Sequence, residues 1–236
     1  MKKFLFTIII LTQAVCFSQS VGGALGVVAT TGEFNTYVKN AAGFTADFSF
    51  YTPPNSTSMT FGFDVGYFIY DYTSQTSTFY SGNGFSFDAK EERTSSIVTF
   101  HGFLRAIGPE KSFRPYADMI FGGALFTTSS SVKNYVTNEE LSSNWDHSSW
   151  AWNAGVGGGL MISVYKPDVK SFIGTIYLDL RARYLVGSRT SYLRKEDIKV
   201  DQYGTVYFFP SKSKTDMMLF SVGVEVPFST AAGDGE

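Results

Sequence analysis

Few charged side chains occur along this chain, and nine of those that do sit singly in apolar surroundings. Asp47, Asp64, His101, Arg105, Asp118, Asp179, Arg181, Arg183 and Glu225 each fall inside a stretch where apolar residues recur at every second position. They comprise five acids, three arginines and one histidine. If the face that carries them is buried, they must pair, because an unpaired buried charge is very costly. Such a set suits either an ion pathway or a salt-bridge network that fills and closes an interior.

The other candidates for chemistry are weaker. Trp145-Asp146-His147-Ser148-Ser149 gathers the residue types of a hydrolase or acyltransferase. Neighbours in sequence rarely form a triad, however, since its members converge from separate segments. His101 and His147 are the only histidines, and neither has a ligand-spaced partner, so no metal site is expected. Gly155–Gly159 is glycine-rich but is followed by no helix and no Lys-Ser/Thr pair, which excludes a phosphate loop. The single Cys, Cys16, lies in the N-terminal apolar run, which leaves no thiol for a disulfide, zinc site or nucleophile beyond it. No catalytic residue, no cofactor and no metal is predicted.

The elements that must hold these residues are strands. Of 236 residues, 44% are hydrophobic, 17% aromatic and 17% charged, with a net charge of -2. This excludes a disordered chain, a coiled coil and a basic nucleic-acid binder. Mean hydropathy is -0.01. Beyond residue 20 the apolar period is two, and eight strands are read. Val21, Leu25 and Val27 mark one face of the first; Phe44, Ala46, Phe48 and Phe50 of the second; Phe61, Phe63, Val65 and Tyr67 of the third. Later stripes include Met119 and Phe121, Trp152 and Val156, Leu178 and Leu180, and Phe220 through Phe228. The opposite face holds Gly, Ala, Ser and Thr around the nine charges. Glycine weakens a strand unless space is short, and a barrel of about eight strands is narrow enough to be filled by side chains. An ionic interior with an apolar exterior is the transmembrane solution. The hydrophobic fraction then reads as a skin facing lipid, not a core, and the interior charges as a network that closes the lumen.

Connections support this. Residues 31–43, 72–93, 129–149 and 188–214 give gaps of 13, 22, 21 and 27 residues, alternating with short ones of 7, 8 and 6 at 52–58, 107–114 and 166–171. Transmembrane barrels alternate long external loops with short periplasmic turns. Tyr67, Tyr70, Tyr72, Trp150, Trp152, Tyr184 and Phe228 lie near strand ends, where interfacial girdles would form. Phe79, Tyr80, Phe85 and Phe87, with Tyr203, Tyr207, Phe208 and Phe209, enrich two long connections in aromatics. They suit contact with an extracellular protein or glycan; in the second connection, alternatively, the strands extend as a hairpin and pair these rings across it.

Lys2 and Lys3 followed by the 14-residue apolar run Phe4–Phe17 read as a signal peptide covering residues 1–18. The barrel is then 19–228 and a short periplasmic tail 229–236. With this leader, the Gly-and-aromatic strands and the closing stripe Phe220-x-Val222-x-Val224-x-Val226-x-Phe228, the chain resembles small outer-membrane β-barrel proteins of the OmpA/OmpX-like type. The resemblance implies an all-β, eight-stranded, antiparallel up-and-down transmembrane barrel in the outer membrane. It also implies that Phe220, Val222, Val224, Val226 and Phe228 form the signal read by the barrel-assembly machinery.

The expected role is non-enzymatic: envelope structure, or surface binding through the long loops, with outer-membrane lipid as surroundings and no nucleic-acid partner. The alternatives are a narrow channel for small or hydrophobic solutes and a surface enzyme using Asp146 and His147.

Overall fold

The computed structural model describes residues 20–51, 59–80, 86–109, 111–134, 140–167, 173–194, 197–200 and 206–228. The expected leader (1–18) and tail (229–236) lie outside the described residues. The elements are β1 (Ser20–Thr30), a short helix α1 (Gly32–Tyr37), β2 (Asn40–Tyr51), β3 (Met59–Tyr80), β4 (Ser86–Ile107), β5 (Phe113–Asn134) and β6 (Glu140–Tyr165). They are followed by β7 (Ile176–Gly187), β8 (Arg189–Tyr192), β9 (Ile198–Val200), β10 (Val206–Phe208), β11 (Ser211–Lys214) and β12 (Met217–Pro227).

Eight of these strands close a barrel in the order β1-β12-β7-β6-β5-β4-β3-β2. Every neighbouring pair is antiparallel, and β1 joins the last strand through Val21↔Val226 and Leu25↔Val222. The parity read from the sequence sets the two faces. Leu25 is 74% exposed and Phe121 65%, whereas Asp64 and Arg105 on the opposite face are 1% exposed. Eleven residues of β1 rise about 36 Å, or about 28 Å at a tilt near 40°, which matches the hydrocarbon thickness of a bilayer.

β3, β4 and β5 have 22 residues and β6 has 26, about twice what a crossing needs. The connections expected at 72–93 and 129–149 are therefore largely strand. β3 and β4 stay paired out to Tyr80↔Ser86, and β5 and β6 to Lys133↔Glu140. Polar residues occupy both faces at residues 73–78 and 127–131, and a sheet with no apolar stripe suits water and not the membrane band. The first long connection contains α1. The fourth contains two ribbons, β8 with β11 and β9 with β10.

The apolar residues are not only a skin. Val28, Phe34, Phe68, Ile97, Phe126, Leu185, Tyr192 and Leu219 form a buried cluster inside the barrel at the end that carries α1 and the long hairpins. Their strand positions share the parity of the lumen charges, so the second face is apolar at this level and not small or polar throughout. Tyr70, expected in an aromatic girdle, packs on this cluster, and its hydroxyl donates to the Leu193 carbonyl at 3.3 Å. Its position has the inward parity of Asp64 and Phe68, and the register shift between Ile69 and Asp71 is what lets Tyr72, two residues on, face outward. Tyr72, Trp150, Trp152 and Tyr184 do face outward.

Candidate functional site

The middle of the lumen holds all nine predicted charges, each at most 5% exposed. β4 and β5 bring Arg105 opposite Asp118, and the guanidinium grips the carboxylate with two bonds, Nε to Oδ1 at 2.8 Å and Nη2 to Oδ2 at 3.2 Å. Its carbon also lies 4.0 Å from the centre of the Tyr116 ring and 4.8 Å from that of Phe103. β3 and β4 set Asp64 opposite His101. His101 bridges Asp64 Oδ1 through Nδ1 (3.0 Å) and the Asn153 side chain through Nε2 (2.9 Å).

The two arginines of β7 tie the walls together. Arg183 Nη1 donates to Asp64 on β3, and Nη2 donates to Asp118 on β5 at 3.2 Å. Arg181 Nη2 donates to Asp179 at 2.6 Å and to Asp47 on β2 at 3.2 Å. Arg181 Nε donates to the Tyr116 hydroxyl at 2.9 Å, and that hydroxyl donates to Asp179 at 2.7 Å.

β7 and its two arginines lie next to β12 and Glu225, and the Arg181 guanidinium holds Asp47, whose carboxylate lies beside that of Glu225 at Gly22. Glu225 pairs in register with Tyr177, whereas Arg181 pairs with Ser221, four residues or about 13 Å along the strand. Glu225 instead accepts a hydrogen bond from the Ser20 hydroxyl.

Glycines on the same face make room for this packing. A Cβ on Gly22 would stand 2.6 Å from Glu225 Oε2 and 2.7 Å from both Asp47 carboxylate oxygens. On Gly157 it would meet Arg183 Cγ at 2.5 Å, and on Gly159 the Tyr116 hydroxyl at 2.4 Å. Tyr116, Asn153 and Ser20 complete the network but were not among the predicted site residues. The strand parity that located the charges also turns them inward.

The Asp146–His147 pair lies on β6, not in a loop. Its members diverge: Asp146 accepts from Ser130, while His147 Nε2 lies 3.1 Å from both the hydroxyl and the carbonyl oxygen of Ser191. A register shift between Thr128 and Ser129 places Asp146 as the extra residue, so Asp146 and His147 take different neighbours. Among the described residues no group of three or more His, Cys, Asp or Glu side chains is placed to hold a metal ion.

Of the loop aromatics, Phe79 and Phe87 pair in register across the β3–β4 hairpin, and Tyr207 and Phe208 lie on β10 opposite Lys199 and Ile198. Phe209 is exposed. Phe85 and Tyr203 lie outside the described residues.

On the outer face of the protruding sheet, Glu92 accepts hydrogen bonds from Lys133 and Lys90, both at 2.6 Å. These bonds, that from Lys133 first, hold its carboxyl at about 2, against an ordinary 4.5. A carboxyl depressed on folding adds stability above its ordinary value and loses it as pH falls through the folded one. A carbon-13 NMR titration of Glu92 in detergent micelles is expected to show a midpoint near 2, and Lys133→Ala should raise it toward 4.5. A wild-type midpoint at 4.5 would show that the triad does not persist in solution.

A closed eight-stranded antiparallel barrel with lipid-compatible outside and ionic, side-chain-filled inside is the fold of a small outer-membrane β-barrel of the OmpA/OmpX-like type. No protein-family model matches the chain, and no curated protein matches it. Among solved structures it is similar to Neisserial surface protein A (NspA), at 18% identity and a TM-score of 0.38, covering 89% of this chain and 96% of that one. It is also similar to Ail, the attachment invasion locus protein of Yersinia pestis, solved with the heparin analogue sucrose octasulfate. There the identity is 11% and the TM-score 0.39, with the same coverage of both chains.

Proposed function

We propose that this protein is exported by the signal peptide at residues 1–18, enters the outer membrane with its chain ends in the periplasm, and acts there as a non-enzymatic surface-binding barrel. On this reading the closing stripe Phe220, Val222, Val224, Val226 and Phe228 is what the barrel-assembly machinery reads. Phe220, Val222 and Val224 face outward along β12, and Phe228 bridges to Ile173.

The observation that carries the proposal is the continuation of β3–β6 as a four-stranded polar sheet above a filled lumen. β2 pairs with β3 only as far as Ala42↔Ile69, so among the described strands residues 71–80 of β3 are laddered on one side, to β4. A half-paired strand offers main-chain donors and acceptors to an extended segment of another protein, the mode of strand addition. The ion-pair network and the buried apolar cluster above it support a structural lumen over a solute path.

The test is to replace residues 73–93 and 129–146 by two-residue Asn-Gly turns and display both proteins on cells. The shortened barrel should still show a heat-shifted band in unboiled gels, and should lose the binding to extracellular protein and glycan arrays that the full chain shows. Equal binding by both, or no binding by the full chain, would overturn the reading.

A further inference from the structure

Five carboxylates and three guanidiniums face the lumen, a surplus of two negative charges before His101 is counted, and His101 sits against Asp64. The surplus has a definite place. Arg105 and Arg183 serve Asp118 and Asp64, while Arg181 serves Asp179 and one oxygen of Asp47, Oδ1. Glu225 receives no guanidinium among the described residues. The other Asp47 oxygen, Oδ2, and Glu225 Oε2 have no hydrogen-bond partner, although the two residues are 1% and 2% exposed.

These carboxylates converge. β1 runs between β2 and β12, and Gly22 pairs in register with Asp47 on one side and Glu225 on the other. Gly22 has no side chain, so both acids lean over it, and Glu225 Oε2 and both Asp47 oxygens crowd the point where its Cβ would stand. Like charges buried side by side repel strongly, so such convergence requires positive charge between them. Neutral oxygens border the same space. The Ser20 hydroxyl, two residues along β1, bonds both Glu225 and the Ser49 hydroxyl. The Thr45 hydroxyl, two residues from Asp47, is buried without a partner. Carboxylate and hydroxyl oxygens with no nitrogen or sulfur are the ligand set of a hard cation. Two surplus charges match a divalent ion, and calcium suits a dry site better than magnesium, which gives up its waters reluctantly.

We propose that the space over Gly22 binds one calcium ion between Asp47 and Glu225, with the Ser20 and Ser49 hydroxyls as further ligands. β1 and β12 are the first and last strands of the barrel, so the ion fastens the seam that closes it. Ser20 opens β1 and Glu225 lies two residues before the end of β12, which places the entry at that end of the lumen. The opposite wall there is shut by Ile107, Tyr116, Met161 and Tyr177.

The test is urea unfolding of the full chain in phosphatidylcholine vesicles, with calcium or with EDTA, beside an unboiled gel that marks the closed barrel. A two-carboxylate site should bind calcium with a dissociation constant on the order of 10⁻⁴ M. Calcium at about a hundred times that constant should then lower the unfolding equilibrium constant on the order of 100-fold. Glu225→Gln and Asp47→Asn should abolish this response. Gly22→Ala, which changes no charge but puts a methyl group where the oxygens meet, should abolish it too. Asp179→Asn, on the far side of Arg181, should keep it. If a variant of Asp47 or Gly22 fails to close, the near-isosteric Glu225→Gln decides. A wild-type barrel indifferent to calcium, a Glu225→Gln barrel that responds as wild type does, or loss of the response in a closed Asp179→Asn barrel overturns the site.

Discussion

Arg183→Ala is expected to lower the unfolding free energy by about 3–5 kcal/mol, the scale seen when one partner of a buried ion pair is removed. Arg183 is 2% exposed and its two terminal nitrogens serve carboxylates on different walls, Asp64 on β3 and Asp118 on β5. Removing it leaves Asp64 with only His101, and Asp118 with only Arg105. Both acids then retain desolvated charge that their remaining partners do not fully offset. Arg183→Lys should recover little of the loss, because a point ammonium cannot fork between two carboxylates. Arg183→Met combined with Asp64→Asn should recover part of it, since one buried acid leaves with the arginine while Asp118 keeps Arg105. Urea unfolding in phospholipid vesicles, followed by tryptophan fluorescence, measures each difference. An Arg183→Ala barrel within about 0.5 kcal/mol of wild type would show that the network adds nothing to stability.

The second large effect is expected at the other closure of the lumen. α1 has six residues and no side-chain cap, and a helix this short does not persist by itself in water. What holds it is Phe34, fully buried, with its ring 5.2 Å from that of Tyr192 and 5.7 Å from that of Phe126, both edge-on. Phe34→Ala should cost about 3–5 kcal/mol in the stability of this cap. The loss should be local: amide exchange across residues 32–38 accelerates, while the β1–β2 ladder stays protected. Planar bilayers should remain silent for wild type and for Phe34→Ala alike, because the Arg181 and Arg183 bridges still cross the lumen below the cap. Conductance steps in the wild type would favour the channel alternative, and unchanged exchange in the variant would show that Phe34 is not the anchor.

The two closures differ in how visible they are in the sequence. The ionic one is marked by isolated charges on an otherwise small-residue face, and strand parity is enough to place all nine inside. The apolar one is hidden, because Phe68, Ile97, Phe126, Leu185 and Leu219 have the same chemistry as the lipid-facing stripe and interrupt it only in phase. Phe34 carries no periodic signal at all, since it lies in one turn of helix between two strands. The protruding sheet carries no strand signal for a related reason: at residues 73–78 and 127–131 Ser, Thr and Gln occupy both faces, so the alternation that marks a strand disappears where no lipid is present to require it. Tyr70, expected in a girdle, has the inward parity of Phe68, and a register shift just beyond it turns Tyr72 outward instead.

By itself, then, the amino-acid sequence determined which side of every crossing strand meets lipid and which side faces inward. Period two is a property of the extended backbone and survives without any knowledge of neighbours. Closure decided the partners. Arg181 and Arg183 sit on β7, yet their carboxylates include Asp47, Asp64 and Asp118 on β2, β3 and β5. A barrel of eight strands is narrow enough for a guanidinium to cross, and which acid it meets depends on the tilt and stagger of the whole sheet. That information belongs to no single strand and exists only once the first and last strands have joined.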